Sequence, residues 1–368
     1  MNFDYSEEQQ LLAESVRRFV EKGYTFEERR RIVESSAGWS ESVWKTIADI
    51  GLLGIALPAE HGGFGGRAVD LMSTMEAIGE ALVVEPYLPT LMGALFVARA
   101  GTQAQKAAIL PAVVDGRLRM AFAHTEADSR YDLARVAVSA RAAGAQYVLA
   151  GGKRVVLHAP LASNLVVSAR TPNGVSLVLV DPSAGGVSMR AYRTIDGLRA
   201  ADVAFDGARG ELVGVEGEAL ALIEEVVDYA TALLCAEAVG AIRFANAATL
   251  EYLKSRQQFG VPIGSFQALQ HRMVDMVISY EQARSMASLA CARVDAGLPA
   301  AERKRIVSAA KVRIADACRH VSQEAVQLHG GMGMTDELKV SHTFRRLTMI
   351  AQQFGDADHH LERFARAS

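Results

Sequence analysis

Three textures of apolar and polar positions follow one another along the chain. Up to about residue 116 the apolar residues return at helical spacing. Ser6 offers an N-cap with acids in the first turn, and Leu11, Leu12, Val16, Phe19 and Val20 follow it. Trp39, Val43, Trp44, Ile47, Ile50 and Leu52 mark a second helix, which the run His61-Gly62-Gly63-Phe64-Gly65-Gly66 breaks. Helices are expected again from Ala68 to about Leu82, up to Gly101 after a bend at Pro86 and Pro89, and from Thr102 to around Gly116. The pattern then changes to alternation and short β-branched runs: 135–138, 147–149, 155–157, 165–167 and 175–180. Turn signals at Gly151-Gly152, Pro172-Asn173-Gly174, Asp181-Pro182, Gly185-Gly186 and Asp206-Gly207 separate them. After Gly217 long apolar-periodic segments return, over Ala219 to Ser255, Ser265 to Ala296, Ala300 to His329 and Val340 to Ala367.

This order predicts an α+β protein, mainly α. An N-terminal helical domain would span 1–118, a central antiparallel β-barrel domain 119–216, and a C-terminal four-helix bundle 217–368. A chain of 368 residues is too long for one core, which agrees with several domains. The formal net charge of −3, with bases interspersed among acids as in Glu27-Glu28-Arg29-Arg30-Arg31, gives no field for nucleic acid or an anionic membrane. The acidic opening lacks the basic and apolar regions of a signal peptide, and no uncharged stretch approaches a membrane span of about 20 residues, so a cytoplasmic protein is expected. Cys235, Cys291 and Cys318 lie far apart in apolar helical contexts and read as reduced, buried, structural thiols.

Two stretches carry candidate chemistry. In Arg256-Gln257-Gln258-Phe259-Gly260-Val261-Pro262-Ile263-Gly264-Ser265-Phe266-Gln267 a guanidinium fork suited to phosphate stands beside a stacking face, and Ser265 is placed to cap the next helix. The plainer reading is a helix C-terminus whose Arg compensates the dipole. In Gln327-Leu328-His329-Gly330-Gly331-Met332-Gly333-Met334 consecutive glycines allow close approach of a backbone or a flat ligand, or else form a helix C-cap and turn. Asp356, Asp358, His359 and His360 invite a metal reading, but no third ligand is evident and no metal is expected. An acid after a glycine and before a helix is more often an N-cap.

Together these stretches resemble the acyl-CoA dehydrogenases, and so does nearly the whole chain. Phe3-Asp4-Tyr5-Ser6-Glu7-Glu8-Gln9, Trp44 with Gly51-Leu52-Leu53-Gly54, Pro58-Ala59-Glu60-His61-Gly62-Gly63-Phe64-Gly65 and Arg345-Arg346 fall in the family's order. The interior motifs and Phe354-Gly355-Asp356-Ala357-Asp358 are most similar to the small subunit of pimeloyl-CoA dehydrogenase and its relatives in steroid side-chain breakdown. The resemblance implies α,β-dehydrogenation of an acyl-CoA thioester with FAD as cofactor: a carboxylate removes the α proton while hydride leaves for the flavin. Electron-transfer flavoprotein is the implied acceptor. It also implies that two chains share each FAD. The flavin ring would lie against the β domain of its own chain, and the pyrophosphate and adenine against a neighbour. The neighbour-facing set is retained here as Arg256, Gln258, Phe259, Gln267, Gln327, Gly330 and Gly331.

The own-chain set departs from the family. The catalytic glutamate falls on Phe354, and its alternative site falls on Ala230, followed by Thr231 in place of the usual arginine. Neither Phe354 nor Ala230 can accept a proton. On the β domain, Phe122, His124 and Thr125 map beside the flavin, but the Thr-Glu-Pro-Gly run is reduced to Thr125-Glu126-Ala127-Asp128. The Trp-x-Thr has become Val155-Val156-Leu157, with His158 next. Asp228 is rotated about 200° from Ala230 on a helix and Glu237 lies about 10 Å further along, so Asp356 is the remaining candidate base. These residues imply a chain that pairs with a second, catalytic acyl-CoA dehydrogenase subunit. The alternatives are an autonomous homo-oligomer using Asp356, and a non-catalytic acyl-CoA or flavin-binding scaffold.

Overall fold

A computed structural model describes residues 7–367; the N-cap expected at Ser6 lies outside them. The N-terminal helices are α1 (Glu7–Gly23), α2 (Phe26–Glu34), α3 (Glu41–Asp49), α4 (Ala68–Ala81), α5 (Tyr87–Ala100) and α6 (Gln103–Val114). Their starts follow from local chemistry. Ser40 Oγ accepts the N–H of Val43 at the head of α3. Thr102 and Gln105 exchange side-chain bonds with each other's backbone N–H at the head of α6, a reciprocal cap that satisfies two otherwise unpaired donors. Trp39 and Leu52 fall outside α3, which stops where Gly51 turns left-handed.

Then come strands β1 (Met120–Ala123), β2 (Ser139–Ala143), β3 (Gln146–Leu157), β4 (Asn164–Thr171), β5 (Gly174–Val180), β6 (Val187–Arg193) and β7 (Arg199–Val213). Pairing runs β4–β2–β3–β7–β5 and returns to β4, so the sheet closes on itself, with β1 attached to β4 and β6 to β7. The pairings are antiparallel, as expected, except that β1 and β2 meet β4 in parallel. The anticipated strand over 135–138 is absent. There Val136 and Val138 are buried, and the strand begins at Ser139. Ala121, Leu149, Leu165, Val167, Val178 and Phe205 are among the side chains that fill the interior.

The C-terminal helices are α7 (Ala219–Ser255), α8 (Gln267–Arg293), α9 (Ala300–His329), α10 (Lys339–Gln352) and α11 (Ala357–Arg366), with a hairpin of β8 (Gln257–Gln258) and β9 (Val261–Pro262) between α7 and α8. The expected single last helix is therefore two. Contacts group the described chain into two compact units. One holds the segment ending at Arg31, Arg67–Val83 and the chain from Thr231 onward; the other holds Ile32–Gly66 and Val84–Ala230.

In the first unit α4 crosses α7 at two glycines. A Cβ on Gly79 would lie 1.8 Å from the Glu237 carbonyl oxygen, and one on Gly240 the same distance from that of Glu76. No side chain fits, so the two backbones touch. Arg243 beside the crossing bonds Glu76 and Glu80. The break between α10 and α11 has its own cause. Phe354 (φ 61) and Gly355 (φ 124) both turn left-handed, a region a bulky L-residue rarely occupies. The buried Lys311 ammonium donates to the carbonyls of Ile350, Ala351 and Gly355, at 2.8, 3.2 and 2.9 Å. His360 Nε2 bonds the Phe354 carbonyl and its Nδ1 meets Ser308 Oγ. Asp356 accepts the His359 N–H and caps α11. The charge of Lys311 meets the negative end of α10, and burial holds its pKa below the usual lysine range. The three cysteines are free and buried, and burial pushes Cys235 and Cys318 up to about 12.

Two outcomes follow for stability. Gly240→Ala forces α4 and α7 apart and should cost at least about 2 kcal/mol despite the better helix propensity of alanine; thermal unfolding should show a clear drop in Tm, whereas Gly185→Ala, where a Cβ meets nothing within 4 Å, should leave it unchanged. His360 is pushed down to about 3, by burial first and then by the charge of Lys311. Unfolded chains therefore take up a proton below about pH 6.5 that the folded state refuses until about pH 3, so stability falls as the pH is lowered through that window, by up to about 1.4 kcal/mol per pH unit for this group. Urea unfolding at pH 7 and pH 5 should show His360→Gln losing less stability on acidification than the wild type.

Candidate functional site

Both sequence motifs gather at one end of the C-terminal helices. The ring of Tyr252 on α7 stacks on that of His329 on α9 with centroids 4.4 Å apart. Arg272 near the start of α8 grips Glu324 near the end of α9 through two bonds of 2.5 and 3.0 Å. This brings the hairpin, the start of α8 and the end of α9 together.

The hairpin needs left-handed backbone at both turn residues, and it finds it at Phe259 (φ 55) and Gly260 (φ 81). Phe259 is 93% exposed, its ring standing edge-to-face with that of Phe266 at a centroid separation of 6.2 Å. An aromatic side chain held in water on a left-handed residue gains almost nothing from its own chain. The Arg256 side chain has no hydrogen-bond partner among the described residues. Gln258 donates to the Gln257 carbonyl, and Gln267 and Gln327 are exposed. A Cβ on Gly330 or Gly331 would meet nothing within 4 Å, so the space beside them is open. Ser265 does not cap α8: its hydroxyl donates to the Pro262 carbonyl, and Phe266 takes the cap position without a side-chain bond.

Carboxylates that could act as bases are otherwise engaged. Phe354 is half-buried in the clamped turn, and Asp356 is the cap of α11. Glu237 is buried and bonds the Arg346 guanidinium at 2.6 Å. Ala230 on α7 is fully buried, and Asp228 is buried with it in the second unit. His360 spends both ring nitrogens on its own chain, and among the described residues no group of three His, Cys, Asp or Glu is placed to hold a metal ion.

On the β domain, the ring of Phe122 on β1 lies with its centroid 4.7 Å from that of Phe96 on α5, and His124 follows β1 directly. The rings of Phe122 and His124 stack 5.2 Å apart. Thr125 is exposed, and its carbonyl accepts the Arg154 N–H. Behind them lies a polar network that the sequence motifs did not announce. Lys153 Nζ donates to the His124 carbonyl, Glu126 Oε1 and Ser168 Oγ, at 3.0, 2.6 and 2.9 Å. Ser168 Oγ also meets His124 Nδ1 at 2.9 Å. Burial lowers Lys153 to about 8, while Glu126, raised by burial but held by Lys153 and the N–H groups of Val138 and Ala137, stays below its ordinary range. His124 is neutral, lowered to about 3 by burial and the Lys153 charge, and its Nε2 has no hydrogen-bond partner. Val155, where the ladder between β3 and β7 slips, is left-handed at φ 49 and half-exposed. A cavity of about 660 Å³ beside it is lined by Asp128, Arg135, Arg190 and Asp202 among others, with Asp202 joining Arg154 and Arg190 at 2.7 Å each.

Comparison with known proteins agrees with this layout. Family models for the acyl-CoA dehydrogenase N-terminal, middle and C-terminal domains match residues 6–117, 121–208 and 217–368. Acyl-CoA dehydrogenase FadE12 of Mycobacterium tuberculosis is 31% identical over 95% of this chain and 93% of its own. Among solved structures, the ChsE4-ChsE5 complex from Mycobacterium tuberculosis is similar at a TM-score of 0.91, with 26% identity over 100% of this chain and 98% of that one. PigA with FAD and proline matches at a TM-score of 0.91, with 27% identity over the same shares. No described helix is long and apolar enough to cross a membrane. With three successive domain models matched in order and full-length relatives above 30% identity, the chain belongs to the acyl-CoA dehydrogenase family.

Proposed function

We propose that this chain is the base-lacking subunit of a heteromeric, FAD-dependent acyl-CoA dehydrogenase. The observation that carries the reading is the Phe354–Gly355 turn: the backbone is firmly clamped, yet the side chain presented there has no proton-accepting group. Ala230 offers none either. The set suited to a dinucleotide's phosphates and adenine is intact at the other extreme, with an unpartnered Arg256, an exposed Phe259 and open space beside Gly330 and Gly331. A guanidinium gives a planar fork for a diphosphate and the Phe259 face gives a stacking surface. Gln258, Gln267 and Gln327 would read polar edges.

FAD, when bound, supplies the acceptor for hydride leaving the β carbon. This chain's share would be to hold the nucleotide end and exclude water from it, while a carboxylate of the partner removes the α proton. Support for pairing comes from the ChsE4-ChsE5 likeness, by name a complex of two differently named components. Electron-transfer flavoprotein would reoxidise the assembly; one similar solved structure, 26% identical at a TM-score of 0.91, bears the name electron transferring flavoprotein of Acidaminococcus fermentans.

The autonomous alternative rests on Asp356, whose carboxylate already accepts a backbone N–H as a cap. Asparagine caps helices as well as aspartate does, so Asp356→Asn should fold normally. The purified chain should bind FAD weakly and show no acyl-CoA oxidation, co-expression with a second family subunit should give a yellow, active complex, and Asp356→Asn in that complex should keep at least about half of the activity. Turnover by the chain alone, abolished by Asp356→Asn, would establish the alternative instead.

A further inference from the structure

Hydrogen-bond accounting in the β domain fixes a tautomer. The Lys153 ammonium has three N–H groups and three acceptors: the His124 carbonyl, Glu126 Oε1 and Ser168 Oγ. Ser168 is fully buried, and its oxygen already accepts from Lys153, so its own O–H needs an acceptor. The one within reach is His124 Nδ1, at 2.9 Å. Nδ1 is then the unprotonated nitrogen of a neutral ring, and the proton sits on Nε2. That N–H is buried and meets no acceptor. A buried amine, a hydroxyl and an imidazole are thus strung together, and the string ends on one donor that solvent does not satisfy.

We infer that the relay Lys153–Ser168–His124 holds the His124 Nε2–H as a donor for a carbonyl-type acceptor atom of a ligand seated on the Phe122–His124 face of β1. Two ligands of the proposed function carry such an atom: a flavin ring, through its carbonyl oxygens or unprotonated ring nitrogens, and an acyl-CoA whose acyl chain bears a second carbonyl besides that of the thioester. The inference rests on the proposed function for the identity of those ligands, and on the structure alone for the donor. His124 would bind the ligand directly, whereas Ser168 and Lys153 are positioning residues that act through it. The stacked Phe122 ring beside the donor suits a flat partner.

The test uses the full-length chain in whichever assembly, alone or co-expressed, binds ligand. Titrations would measure FAD by flavin absorbance, and a saturated straight-chain acyl-CoA and its chain-keto analogue by calorimetry, for the wild type, His124→Phe and His124→Gln. Phenylalanine removes the donor and keeps the ring; a glutamine amide N–H reaches near the place of Nε2. One ligand should bind roughly 10-fold or more weakly to His124→Phe and recover with His124→Gln. Weakening confined to FAD assigns the flavin, and weakening confined to the keto analogue assigns the acyl group. Long-range proton–nitrogen NMR should show His124 as the Nε2–H tautomer in the wild type and as a mixture in Ser168→Ala. Unchanged affinity for every ligand in His124→Phe, or an Nδ1–H tautomer in the wild type, overturns the inference while leaving the proposed function standing. A wild-type chain that binds neither FAD nor acyl-CoA in any assembly sinks the proposed function itself.

Discussion

Left-handed backbone is costly for a bulky residue, and at Phe354 a buried charge, Lys311, ties down the turn that contains it. Lys311 reaches from the middle of α9 to three carbonyls at the end of α10 and in the turn beyond it. With Lys311 on the Gly355 carbonyl, His360 on the Phe354 carbonyl and Asp356 capping α11, the turn is tied on both sides. Burying an ammonium is costly, and three carbonyl dipoles at a helix C-terminus are among the few environments that offset it. The turn is thus built as a seat for a specific side chain, and the side chain in it is aromatic.

The rest of the polar interior sorts into groups that serve packing and groups that do not. Arg346 with Glu237 and Arg243 with Glu76 and Glu80 tie α7 to its neighbours and leave those acids unavailable for proton transfer. Phe259 and Arg256 are the opposite case, with exposed aromatic surface and a guanidinium that the chain's own contacts do not use. Such groups are free to meet a ligand, as the diphosphate and stacked base of the proposed function would require.

Much of the architecture was legible where the chemistry is local. Thr102 and Gln105 announce the head of α6, and the glycine run at 61–66 announces the interruption before α4. The break in the last helix was legible only in part: Gly355 followed by Asp356 reads as an N-cap, yet the apolar spacing carries on through Leu361 and Phe364. Strands β6 and β7 gave little signal for a similar reason: β6 is mostly exposed and β7 is rich in alanine and glycine. Of the candidate site, the motif residues could be placed from the sequence, whereas the clamp and the relay could not. Lys311 lies 44 residues from Gly355, and His124 lies 44 from Ser168, so only the fold brings them together.

In the proposed function the α proton is removed by a carboxylate of a different chain. This step is tested most directly in the co-purified assembly, by replacing the partner subunit's catalytic carboxylate with its amide and leaving this chain untouched. Acyl-CoA oxidation should then disappear entirely while FAD stays bound. Residual activity near half of the original would show that this chain removes protons on its own and would contradict the proposed function.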